Sequence, residues 1–333
     1  MLAFIIRRLL QAALVIVIMS GLVFVGIYLI GNPVYILISP EASELERAQV
    51  IHNLGLDLPL WQQYLVFVEQ ALGGSFGKSF VFGEPAMKIV LERVPATAEL
   101  ALFSTFLALF VGVPLGIWAG LKPNAISSRG IMAGSILGFS LPNFWVGLML
   151  IMLFGVWLRN SEWLSFLSLP ASGRGETVTF LGTRLSIFTI DGWRHLLLPA
   201  FTLGLSYMAL NIRLTRAGVR EVLLQDYVKF ARAKGLPERR VIGVHVLKNI
   251  LIPIVTVTGL ELGTVIAFAV VTETVFAWPG MGKLLIDSIV SLDRPVVVAY
   301  LMTVVGLLVV LNLVVDVLYS VIDPRIRLGG RSE

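Results

Sequence analysis

The chain has 333 residues, of which 57% are hydrophobic and only 14% are charged, with a formal net charge of +5. A soluble domain carries roughly 25% charged residues, so this composition excludes an ordinary soluble globular protein. The absence of cysteine excludes disulfides and thiolate metal sites.

With a mean hydropathy of +0.88, the apolar residues gather in runs long enough to cross a bilayer. A helix needs about 20 residues to span ~30 Å of hydrocarbon. Because backbone polar groups must be satisfied inside lipid, such runs are helices. The expected fold class is therefore an all-α polytopic membrane protein with six transmembrane helices, near residues 9–30, 97–121, 131–158, 195–215, 250–277 and 296–322.

The first run follows Arg7 and Arg8 and is too long for the apolar region of a signal peptide, so it reads as an uncleaved first helix. A long segment, 31–95, then lies on the outer side. Within it Pro59, Trp61, Tyr64 and Phe67 predict an interfacial helix that opens at the proline. Residues 72–79 (LGGSFGKS) resemble a phosphate-binding loop, but Leu72 stands at the first glycine position, and Gly83 and Pro85 interrupt any helix after it. The stretch reads as a flexible turn, so the chain carries no nucleotide engine of its own.

Gly112, Gly116 and Gly120 in the second span, and Gly134 with Gly138 in the third, repeat at the spacing that lets helices approach closely. Ordinary packing within the bundle accounts for them. Pro114, Pro142, Pro199 and Pro253 lie in or at the ends of spans, where proline permits a kink. A second outer loop covers 159–194.

The most distinctive stretch is the basic island 220–240 (REVLLQDYVKFARAKGLPERR). Gly235 suits the end of one short helix and Pro237 the start of another, which predicts an elbow. Three readings compete: a charged loop attracting anionic lipid, a DNA-reading helix-turn-helix, and a helix pair that fills a socket on a cytosolic protein. DNA fits poorly, because a helix tethered to the bilayer at both ends does not enter a major groove, and no nucleic acid is expected as partner. Docking gains from Ala231 and Gly235, four apart on one face, and from Val241, Val244 and Leu247, which give the second helix an apolar side.

Glu261 is the acid deep inside the fifth span, where a carboxylate costs a few kcal/mol unless it finds water, a partner or a proton. Two roles fit: lining a translocation path for an amine or cation, and pairing with a neighbouring subunit. Glu273 and Asp316, near the span ends, are expected to reach water or caps. His52, His195 and His245 are scattered and read as structural, and no metal site is expected. With no HExxH, no GxSxG and no carboxylate pair, the chain does not read as an enzyme.

Placing the N-terminus inside puts Arg7, Arg8, Lys122, Arg129, the dense run from 213 to 248, and Arg325, Arg327 and Arg331 on the inner face. The inner side is then strongly positive and the outer side slightly negative, as the positive-inside rule requires. Both termini face the cytosol.

Residues 226–241 (DYVKFARAKGLPERRV), followed by 247–253 (LKNILIP), closely resemble the cytoplasmic coupling loop of ABC importer permeases. The variant is that of the dipeptide/oligopeptide/nickel family, of the first-subunit (DppB/OppB-like) type. The resemblance extends over essentially the whole chain, through 7–10 (RRLL), 54–64 (LGLDLPLWQQY), 93–100 (RVPATAEL), 140–147 (SLPNFWVG), 273–282 (ETVFAWPGMG) and 322–325 (IDPR). Lys229 stands where the general loop has an acid and Lys248 where it has a proline, departures that the peptide branch shares.

The resemblance implies a type I importer-like permease fold. Residues 1–94 would form an N-terminal helix with an outer segment. Residues 95–323 would form the permease core, with its coupling loop at 217–248, and 324–333 a cytosolic tail. It also implies a second, similar permease subunit, two cytosolic ABC ATPases that hold ATP and magnesium, and an outer substrate-binding protein, all at the bacterial cytoplasmic membrane. This chain would bind no cofactor. Tyr227, Ala231, Gly235 and Leu236 would shape the docking helix, and Arg232, Lys234, Arg239 and Arg240 would meet the ATPase or lipid. Peptides, or a related small solute such as a nickel chelate, would be the cargo. The alternative is an ion-coupled secondary transporter that uses Glu261 as its ion or proton site.

Overall fold

The computed structural model describes residues 2–29, 43–53 and 57–322; the expected tail 324–333, with Arg325, Arg327 and Arg331, lies outside them. The described chain is almost wholly helical. Its elements are α1 (Leu2–Leu29), α2 (Glu44–Asn53), α3 (Leu60–Leu72), α4 (Ala86–Leu121), α5 (Ile126–Ser140) and α6 (Asn143–Leu150). A short hairpin of β1 (Val178–Phe180) and β2 (Thr183–Leu185) follows. Then come α7 (Ile190–Leu223), α8 (Asp226–Ala233), α9 (Glu238–Arg240), α10 (Leu247–Val275), α11 (Met281–Val290) and α12 (Arg294–Ile322).

Among the described residues, four helical stretches are long and apolar enough to cross a membrane: Ala86–Leu121, Ile190–Leu223, Glu238–Val275 and Arg294–Val315. α1 contains a shorter apolar stretch, Leu10–Gly26. The expected third span is not one straight helix. α5 and the helix Asn143–Trp157 meet at 108°, so together they make at most a fifth crossing. The cause is local. A proline ring disfavours helical geometry in the residue before it, and Leu141, ahead of Pro142, is extended at φ −82°, ψ 136°. Beyond α6 the backbone continues as a π-helical turn, Ile151–Trp157.

The chain divides into two compact units, Met1–Pro95 with Pro279–Val310, and Ala96–Trp278 with Leu311–Glu333. In the first, α3 lies on α1. Ser20 and Tyr64 share a hydrogen bond of 2.9 Å, and Phe24 meets the Tyr64 ring edge-on at 5.3 Å. The supposed flexible turn at 72–79 is instead tied down. Asp293, fully buried, accepts the Ser79 hydroxyl and the Phe80 amide at 3.1 Å. The carboxylate thus holds the hydroxyl that ends the segment and the amide that follows it. The link between the last two spans is also more ordered than a loop, since it contains α11.

In the second unit α7 is the central post. Its apolar window is 61% buried, against 17–33% for the other three long helices. α5, α6 and α10 pack on it, and α4 approaches it closely enough to forbid side chains. A Cβ on Gly112 would sit 3.1 Å from Asn211 Cβ, one on Gly116 would sit 2.5 Å from Thr215 Cβ, and one on Gly120 would sit 2.7 Å from Val219 Cβ. The double small-residue pattern is therefore internal packing. Gly134 meets nothing within 4 Å, whereas Gly138 lies against Leu205.

The contrast gives a test. Gly116→Leu should destabilise the detergent-solubilised protein by about 1–3 kcal/mol through overpacking, whereas Gly134→Ala should change stability by less than about 0.5 kcal/mol. Thermal unfolding curves of the two variants decide it, and equal stability would rule out a close α4–α7 contact.

Candidate functional site

The basic island folds as an elbow, but only its first half is a separate short helix. α8 ends in a Schellman cap. The Gly235 amide donates to Arg232 O at 2.9 Å and the Leu236 amide to Ala231 O at 3.3 Å, with Gly235 at φ +74°. Only glycine adopts that left-handed conformation without strain. Pro237 caps the next helical turn, one residue before α9. The expected second short helix is absent as such, because α9 runs through a π-turn, Val241–Val246, directly into α10.

Ala231 and Gly235 do not form an open face of small residues. Ala231 is buried with Val228 and Val241 in a small core of the elbow, against which Leu236 packs. Gly235 is exposed, and its demand is on the backbone. The outward surface carries Tyr227 (43% exposed) and Phe230 (61%), ringed by the exposed Arg232, Lys234, Arg239 and Arg240. Lys234 Nζ lies 4.6 Å over the Phe230 ring, and Arg232 Nε bonds Glu238 at 2.8 Å across the bend. At the start of α8, Lys229 bonds Asp226 at 2.9 Å, which holds the Asp226 carboxyl below its usual pKa. Phe230 and the core residue Val228 were not singled out by sequence reasoning. The i, i+3 spacing of Tyr227 with Phe230 on the charged face was the available signal.

Glu261 lines a small cavity with Thr105, Tyr207, Asn211 and Thr258. Two of those oxygens, Asn211 Oδ1 and Thr258 Oγ1, have no hydrogen-bond partner. Glu273 is not at a watery end. It is fully buried and accepts the Thr97 hydroxyl at 2.6 Å. Among the described residues, no group of three or more histidine or acidic side chains is placed to hold a metal. His52 bonds Asp57 at 2.7 Å on the surface, and that carboxylate raises the imidazole pKa above its usual value. His195 bonds its own helix at Asp191 O, 2.9 Å away.

Sequence reasoning also missed Glu99, which organises the 159–194 loop. Its buried carboxylate accepts the Ser186 amide at 2.7 Å, the Ile187 amide at 2.8 Å and Arg174 Nη2 at 2.6 Å. The Gly173 amide donates to Phe276 O at 2.9 Å, and Trp278 Nε1 donates to Ala96 O at 2.9 Å. In one sequence, Glu99 shows only as an acid one turn into a span.

The second unit thus carries a folded basic elbow between two long helices, α7 and α10. The family described as "Binding-protein-dependent transport system inner membrane component" matches residues 112–328, and the corresponding N-terminal component matches residues 1–101. The di/tripeptide transport system permease protein of Pseudomonas aeruginosa is 42% identical over 98% of this chain and 99% of its own. The oligopeptide transport system permease protein of Bacillus subtilis is 39% identical, again over 98% and 99%. A solved structure of the MetNI methionine ABC transporter, inward-facing, covers 71% of this chain and 97% of its own at a TM-score of 0.52 and 16% identity. It shows the type I importer permease fold. The chain belongs to the binding-protein-dependent permease family. It is a membrane permease component of an ABC importer and not an enzyme, and these relatives give the ion-coupled alternative no support.

Glu99→Ala would leave the largely buried Arg174 without its counter-charge, a loss of about 3–5 kcal/mol. Glu99→Gln keeps an acceptor for the two amides and should lose less. Thermal unfolding of the purified variants measures both, and an unchanged Glu99→Ala protein would show that the network does not hold the loop.

Proposed function

We propose that this chain is one of a pair of permease subunits that carry peptides inward across the bacterial cytoplasmic membrane. The elbow at 217–248 is the handle by which cytosolic ATPases move the helix bundle. The observation that carries this is the elbow's outward face. Two aromatic side chains, Tyr227 and Phe230, stand exposed among cations, on a bend whose own core is already filled by Val228, Ala231 and Val241. Exposed aromatics with arginine neighbours are the usual anchors of protein interfaces.

Ala231, Gly235 and Leu236 hold the bend. Tyr227 is a contact, and Arg232, Lys234, Arg239 and Arg240 meet the ATPase or lipid head groups. ATP and magnesium belong to two ATPase subunits, and a second homologous permease completes the pathway. Residues 1–94 act as an N-terminal transmembrane helix plus an outer segment, 95–323 as the core and 324–333 as a cytosolic tail. α1, the bent α5–α6 pair and the four long helices make six crossings, with both termini cytosolic by the positive-inside rule. The outer segments meet a substrate-binding protein. The peptide class rests on the names of the relatives above, a di/tripeptide permease and an oligopeptide permease.

The test is reconstitution. With its partner permease, ATPases, binding protein and ATP in vesicles, the chain should accumulate peptide; alone it should accumulate none, and uptake by the chain alone would overturn the proposal. Phe230→Asp should weaken ATPase co-purification at least tenfold, the equivalent of about 1.4 kcal/mol, without loss of membrane insertion. Gly235→Trp, which strains the cap, should abolish substrate-stimulated ATP hydrolysis.

A further inference from the structure

Near the midpoints of three bundle helices, polar residues line one small, otherwise apolar cavity: Tyr207 and Asn211 from α7, Thr258 and Glu261 from α10, and Thr105 from α4, whose hydroxyl already bonds Ala101 O. The placement costs free energy. Asn211 is only 5% exposed, and its Oδ1, like Thr258 Oγ1, accepts no hydrogen bond. An unpaired polar atom in a protein interior is unfavourable, and the half-buried Glu261 carboxylate beside it, in a membrane-spanning helix, is a costly charge to place there. Among the described residues, no lysine, arginine or histidine lines the cavity to neutralise Glu261. Gly112 contributes from the opposite helix, since a Cβ there would crowd Asn211 at 3.1 Å.

The set lacks both donors for its two unpaired oxygens and a positive charge beside Glu261. A primary ammonium group carries a positive charge and three N–H donors, and it has about the size of a water molecule, which is close to the free space available. Divalent cations such as calcium and magnesium take six or more oxygens, more than the unpaired ones here. A quaternary ammonium offers no N–H at all. We infer that this cavity binds a primary ammonium group, with Glu261 as counter-charge and with Asn211 Oδ1 and Thr258 Oγ1 accepting its N–H bonds. The inference deepens the permease reading and rests on it: the amine is that of a cargo passing through the bundle, such as a peptide's N-terminus or a lysine side chain.

The experiment uses the assembled transporter in lipid nanodiscs, titrated at matched ionic strength with methylammonium, tetramethylammonium or sodium chloride. Methylammonium should raise the thermal unfolding midpoint of the wild-type complex, and the other two salts should not. Glu261→Gln should abolish the shift, and Asn211→Ala should weaken apparent methylammonium affinity about tenfold. Should Glu261→Gln fail to co-elute with its partners, Thr258→Val carries the same comparison. Equal shifts from all three salts, or a methylammonium response that survives in the variants, overturn the assignment. ATP-driven peptide uptake by the wild-type complex is read separately. Its absence defeats the permease reading, whereas uptake without a methylammonium response defeats only the ammonium site.

Discussion

The close contact between α4 and α7 governs the rest of the core unit. In a bilayer, helices gain little from hiding apolar surface from lipid, so association depends on packing and on how near two backbones come. Gly112, Gly116 and Gly120 remove the side chains that would hold α4 away from Asn211, Thr215 and Val219. Once α7 is fixed against α4, it serves as the post on which α5, α6 and α10 pack. It also sets where its two functional ends arrive, with Asn211 inside the bundle and Val219 at the base of the elbow.

The elbow itself holds together by different physics. The Arg232–Glu238 pair is exposed on both sides, and such a pair contributes about 0–1 kcal/mol. It does not fix the bend. The glycine cap satisfies the terminal carbonyls of α8, and the apolar cluster beneath it removes Val228, Ala231 and Val241 from water. A bend built in this way keeps its shape without a partner. Its charged and aromatic face, with Tyr227 and Phe230, then stays exposed.

Much of this was legible in the sequence, because the bilayer permits few solutions. Apolar run length gave the long helices, and Gly235 with Pro237 placed the elbow. What failed did so for identifiable reasons. Pro142 marked a kink, but sequence alone did not distinguish a gentle kink from the 108° break that makes α5 and α6 two helices. Ala231 and Gly235 share a helical face, yet the same spacing describes an outward patch and an inward core. Only the long-range contact with Val241 separates the two. The segment 72–79 looked mobile because its partner, Asp293, lies more than two hundred residues away. Glu273 looked solvated because its distance from the span centre was readable, whereas the Thr97 hydroxyl facing it was not.

Under the proposed docking role, the packing offers a route by which a movement outside the membrane would reach its interior. Val219 of α7 packs with Val246 of the π-turn and with Ile250 and Ile254 at the start of α10, and Val222 and Leu223 pack against both this cluster and the elbow core. The elbow is thus joined to the lower ends of two helices at once. From Val219 to Asn211 is eight residues, about 12 Å along α7, and from Ile250 to Glu261 is eleven, about 16 Å along α10. Side chains that line the interior cavity therefore sit two to three helical turns above the joint, on the same two rigid rods. A push on the elbow that tilts α7 and α10 unequally changes the distance between Asn211 and Glu261 without unfolding either helix. An external motor then needs only to favour one tilt over the other, because a ligand shifts a conformational equilibrium by its difference in affinity for the two states.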